Sequence, residues 1–175
     1  MRSMRRVINQ YLLLGWLVTG LLTGCSKNSS SSASVYEVQV GGWTYRCSPQ
    51  LVTQKGVDQL LVRITLSSPN PSQDPLRYEV SGLDAYNARV QYFLSGAQQD
   101  FDLVAATGAV LPAASYFFEN SYNLTPASQF VVGFELPSNT RTKPVTLEYQ
   151  DQVFNTGLIK FQFIPSDYLR ASPKS

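Results

Sequence analysis

The sequence predicts an all-β fold, a single antiparallel β-sandwich, and three observations carry that prediction. Apolar residues recur at every second position in most segments between residues 35 and 163. Clusters of Pro, Ser, Asn and Gly separate those segments, as in SSPNPSQDP (67–75) and LPSNTRTKP (136–144). No segment shows a sustained helical stripe. Short strands with one polar face each fit antiparallel sheets packed face to face.

The first strand pair is the most specific. Residues 35–48 read VYEVQVGGWTYRCS. A Gly-Gly pair between two alternating runs predicts a two-residue hairpin turn, because both central residues of a type I′ turn need positive φ. With Gly41-Gly42 as the loop, Val40 faces Trp43, Val38 faces Tyr45 and Tyr36 faces Cys47. Gln39 then meets Thr44 and Glu37 meets Arg46 on the other face. This register puts Cys47 on the apolar side, where a lone cysteine is expected to be buried. A slip of one residue would mix the two faces.

The remaining strands follow the same period. Leu60, Val62, Ile64 and Leu66 mark one, and Leu76, Tyr78 and Val80 a second. Ala88, Val90, Tyr92 and Leu94 mark a third, and Phe130, Val132, Phe134 and Leu136 a fourth. Val145, Leu147 and Tyr149 begin a fifth, and Ile159, Phe161 and Phe163 a sixth. Residues 101–105 and 115–119 are weaker candidates. Tyr36, Tyr45, Tyr78, Tyr92, Phe130, Phe134, Phe161 and Phe163 are expected in the core.

The N-terminus reads as an address. Arg2, Arg5 and Arg6 precede the uncharged run YLLLGWLVTGLL (11–22). That run is shorter than the ~20 apolar residues of a membrane span and has the pattern of a secretory signal. Leu22-Thr23-Gly24-Cys25 follows and resembles the lipobox of bacterial lipoproteins. The resemblance implies cleavage before Cys25, lipid on its thiol and acylation of the new amine. The expected organisation is therefore a signal peptide at 1–24, a Ser-rich tether at 25–34, a β domain at 35–168 and a tail at 169–175. With Ser26 rather than Asp after the cysteine, the same resemblance places the protein in the outer membrane, periplasmic side, of a double-membrane host.

Charge and composition narrow the function. The chain has 14 Lys and Arg against 12 Asp and Glu. Removing residues 1–24 takes three arginines and no acid, which leaves 11 against 12. No basic excess remains for nucleic acid. The absence of His removes imidazole bases and His-ligated metals. No nucleophile constellation or phosphate loop is visible, so no enzymatic activity, cofactor or metal is expected. Asp100 and Asp102 offer two carboxylates that calcium could use, but calcium loops need about five or more oxygen ligands and no dense acid cluster surrounds them, so a solvated turn is expected.

Residues 57–164 resemble the telokin-like, immunoglobulin-fold domains of bacterial lipoproteins. The matching features are VDQLLVRITLSSPN (57–70), a short strand from Leu76, and LTPASQFVVGFELPSN (124–139). A strand with Leu147 and Tyr149 follows. The resemblance implies an immunoglobulin-like sandwich with a binding or structural role and no catalytic residue.

Tyr116, Phe117, Phe118 and nearby Tyr122 form an aromatic cluster. Three consecutive aromatics cannot share one strand face, so at least one is expected outside the core, where aromatics mark partner surfaces. The expected function is a lipid-anchored module that binds an envelope protein. A small-ligand or glycan-binding module is the alternative. Fatty-acid label fed to cells is expected on the wild-type chain and absent from Cys25→Ser; label that persists on the variant would contradict the lipobox reading.

Overall fold

The computed structural model describes residues 34–120 and 125–169. Nine strands are present among them: β1 (Tyr36–Val40), β2 (Trp43–Gln54), β3 (Val57–Ser67), β4 (Phe101–Ala105), β5 (Val110–Pro112), β6 (Ser115–Glu119), β7 (Ala127–Glu135), β8 (Val145–Gln150) and β9 (Leu158–Phe163). They form a five-stranded sheet in the order β1-β2-β3-β7-β6 and a four-stranded sheet in the order β5-β4-β8-β9. Every pairing is antiparallel. The fold is an all-β sandwich of two antiparallel sheets.

The first hairpin has the register that the Gly-Gly turn predicts, from Val40 opposite Trp43 to Tyr36 opposite Cys47. Gly41 and Gly42 have φ of 57° and 84°. Glu37 and Arg46 form an ion pair at 2.5 Å on the outer face. Cys47 is buried and unpaired, and burial pushes its thiol well above the ordinary range. A second hairpin, not read from the sequence, follows the first. β2 runs on to Gln54 and turns at Lys55-Gly56, where both residues have positive φ.

Two expected strands are not strands. The segment at 76–80 holds a 3-10 turn over Pro75–Arg77. Asp74 caps it, its Oδ1 accepting from Leu76 N at 2.9 Å, and Pro75 supplies the fixed φ that a first helical position prefers. The segment at 88–94 lies in helix α1 (Leu83–Ser95). Its alternating Ala88, Val90, Tyr92 and Leu94 imitate a strand. Tyr86, Val90, Phe93 and Ala97 keep the helical spacing in the same stretch. Only Val90 in α1 is β-branched, and Leu, Ala, Arg and Gln favour helix. Phe93 and Ala97 are accordingly buried, whereas Leu94 is exposed. A short helix α2 (Pro165–Leu169) follows β9 and buries Tyr168, whose hydroxyl donates to the carbonyls of Arg141 and Lys143.

The core lies between the sheets. The first sheet contributes Tyr45, Leu60, Val62, Leu66, Phe130 and Phe134, and the second Phe101, Leu103, Leu147 and Phe163. At one end of the sandwich the loop 151–157 is shaped by a buried carboxylate. Asp151 accepts from the backbone N–H groups of Val153, Phe154 and Thr156 and from Thr156 Oγ1, at 2.8 to 3.0 Å. Thr156 Oγ1 in turn accepts from Tyr45 OH. The loop presents Phe154 to Trp43 at a centroid distance of 3.9 Å and to Phe93 at 5.9 Å.

Replacing Asp151 with Ala would strip the acceptor from three backbone donors. Each buried donor left unpaired costs about 1–3 kcal/mol, and rehydration of the loop recovers part of that. Asp151→Ala is expected to lose about 3 kcal/mol in urea unfolding; an unchanged midpoint would show that the network adds nothing.

Candidate functional site

The residues of the aromatic cluster separate by strand alternation. β6 pairs with β7 so that Tyr116 lies opposite Val132, Phe117 opposite Val131 and Phe118 opposite Phe130. Phe118 is buried, its ring 5.4 Å from Phe93 and 5.2 Å from Phe130. Tyr116 is half-buried on the same side and donates from its hydroxyl to the Phe93 carbonyl at 2.7 Å. Burial pushes that hydroxyl well above its ordinary range. Phe117 faces away from the core and is 63% exposed. Tyr122 and Cys25 lie outside the described residues.

β6 is the last strand of its sheet, so one side of its backbone has no neighbour in the sheet order. Gly133 leaves room on β7 for the Ser115 side chain of β6. It lies opposite Ser115, and a Cβ there would run into Ser115 Oγ and stand 3.1 Å from Leu61. Phe117, Val131 and Arg63 make a cross-strand row on the outer face.

The other sheet edges among the described residues are guarded in familiar ways. β5 is three residues long and ends in Pro112. β1 places Glu37 on its outer face, paired with Arg46. β9 carries Lys160, paired with Glu148 at 2.7 Å. β6 has no Lys, Arg or Pro, and its one charge, Glu119, stands at its end. The sequence reading singled out the aromatics but missed this edge, because the neighbours of a strand are set by topology. The absence of Lys, Arg and Pro from SYFFE was the signal available.

The candidate carboxylates are separated in role. Asp100 ends a 3-10 turn and accepts from Tyr92 OH. Burial raises its pKa above the ordinary aspartate value, with the Asp151 charge adding to the rise and the Tyr92 bond opposing it. Asp102 lies in β4 opposite Glu148. Among the described residues no group of three or more Cys, Asp or Glu is placed to hold a metal ion.

Three concavities accompany these features. The largest described, about 440 Å³, is lined by Val57, Leu111, Pro112, Ala113, Ala114, Glu135, Leu136 and Pro137. It contains no aromatic ring. No family model, curated protein or solved structure matches the chain.

Phe117 and Phe118 are adjacent in sequence and opposite in environment. Phe118→Ala is expected to cost about 3–5 kcal/mol of stability, as for other buried rings. Phe117→Ser should stay within about 0.5 kcal/mol of wild type, as for exposed sites. Equal losses measured by urea unfolding would show that Phe117 is packed in solution.

Proposed function

We propose that the chain is a lipid-anchored envelope protein whose sandwich is a protein-interaction module. An extended segment of an envelope partner adds to β6 as a further strand. The observation that carries this reading is the weakly guarded edge: β6 ends its sheet, has no Lys, Arg or Pro and only the terminal Glu119 as a charge, and exposes Phe117 beside it. Strand addition draws affinity from main-chain hydrogen bonds and specificity from alternate side chains. Ser115, Phe117 and Glu119 supply the alternate contacts on the outer face.

The anchoring half of the reading is supported by the basic segment, the short apolar run and Leu22-Thr23-Gly24-Cys25. Ser26 supports the outer membrane in a double-membrane host. The segments at 57–70 and 124–139 support a telokin-like, immunoglobulin-fold assignment within the sandwich class. A small-ligand or glycan site finds less support, since the 440 Å³ concavity is lined by aliphatic side chains and Glu135, and a second one, lined by Arg77, Val80, Gly82, Leu83 and Tyr86, offers a single ring.

The test is photo-cross-linking in cells with a photoreactive residue at Phe117, and at Leu83 on α1 as the control. A discrete adduct with one envelope protein is expected from Phe117 and not from Leu83. The adduct should weaken when the anchor is removed by Cys25→Ser. A folded, acylated protein that yields no adduct from Phe117 would overturn the edge as the partner surface.

A further inference from the structure

Eight large apolar side chains stand exposed among the described residues, and four of them gather at one end of the sandwich. Val35 precedes β1, and the Tyr36 hydroxyl beside it donates to Asp167. The same carboxylate accepts from Ser34 Oγ at 3.3 Å and from the backbone N–H of Ile164 at 2.8 Å. Val35 and Ile164 thus flank a single anchoring group. Val57 closes the β2–β3 turn opposite Gln54. Val110 closes the β4–β5 turn opposite Val104, one step from Ala105 and Val145, and Val145 pairs with Phe163, the residue before Ile164. The four are 66%, 50%, 43% and 57% exposed, in the order Val35, Ile164, Val57 and Val110.

This is the end at which the chain arrives from Cys25. Nine residues lie between Cys25 and Val35, which makes ten Cα steps. Even fully extended they reach about 35 Å. With the cysteine held by lipid, Val35 never leaves the neighbourhood of the bilayer. Leu83 and Leu158 stand away from this end, at the start of α1 and opposite Gln150. Lys55 in the β2–β3 turn and Lys143 near α2 are exposed and take part in none of the three ion pairs described. Exposed valine and isoleucine beside ammonium groups suit the boundary where phosphate headgroups meet acyl chains.

We propose that this end is a lipid-docking surface that holds the sandwich against the membrane in one orientation. Val57, Val110 and Ile164 enter the headgroup region, and α1 and the loop 151–157 face away. The proposal rests on the lipid anchor at Cys25. It leaves β6 free at the side of the sandwich for a partner.

The experiment uses the acylated full-length protein in phosphatidylethanolamine–phosphatidylglycerol vesicles. A single cysteine replaces Val57, Val110 or Ile164, with Leu83 and Leu158 as controls, and carries a small environment-sensitive fluorophore. Cys47 is buried and Cys25 carries lipid, so the label is selective. Lipid brominated high on its acyl chain is expected to quench the three docking positions at least twofold and the two controls hardly at all. Co-flotation with the vesicles, together with equal quenching at all five positions, would overturn the orientation alone. Failure to float, with no acyl label on Cys25, would overturn the anchor and the docking with it.

Discussion

One buried carboxylate holds together the end of the sandwich where the loop 151–157, Trp43 of the first hairpin and α1 meet. A charge as buried as that of Asp151 is tolerated only when hydrogen bonds replace its water, and a single loop supplies nearly all of them. Because the loop is wrapped around that charge, Phe154 stands where Trp43 of the first hairpin and Phe93 of α1 both reach it. Arg89 completes the junction. Its guanidinium donates to the carbonyls of Tyr78 and Pro75 at 2.6 and 3.2 Å and lies 5.3 Å from the Phe154 ring. Partial burial lowers its basicity, while the Glu79 and Asp151 charges work in the opposite direction. The helix is therefore held by a few specific contacts rather than by a wide apolar face, which a 13-residue helix with one fully buried side chain does not have.

What could be read from residues alone follows from how local each determinant is. The Gly41-Gly42 hairpin was legible to the residue, because turn geometry and two-face alternation both constrain a register. Strands β3, β7, β8 and β9 were legible because each has one buried face. The stretch from Asp74 to Ser95 was misread because alternation over four positions does not separate a strand from a helix when the helical spacing is also satisfied. Lys55-Gly56 was missed because the first central position of its turn is filled by Lys at φ 51° rather than by Gly or Asn. At the candidate site, alternation required an outward aromatic but did not say which one. Only the pairing of Phe118 with Phe130 sends Phe117 outward, and only the strand order makes β6 an edge.

The two sheets are joined differently at their two sides. On one side the chain itself passes between them, because β5 belongs to the four-stranded sheet and β6, two residues later, to the five-stranded one. On the other side no strand crosses. There the Tyr36 ring meets Phe163 at 5.2 Å and Asp167 reaches Ser34 and Tyr36. A covalent crossing keeps the β5–β6 corner in place whatever happens at the edge. Among the described residues the opposite side is held by side chains.

That difference gives the Asp167 clasp a mechanical meaning. Any pull that reaches the sandwich through its N-terminus arrives at Ser34 and then at β1, an outer strand of five residues. Ladder bonds between antiparallel strands lie across the strand direction. A pull along β1 loads them together in shear, whereas a pull across it opens them one after another from the Tyr36 end. Ser34 lies ahead of the first ladder pair and Tyr36 belongs to it, and their hydroxyls share one carboxylate on the far side of the seam. Ser34 meets a pull before the ladder does and Tyr36 meets it at the first rung, so the clasp works as a strain relief where the cable meets the body.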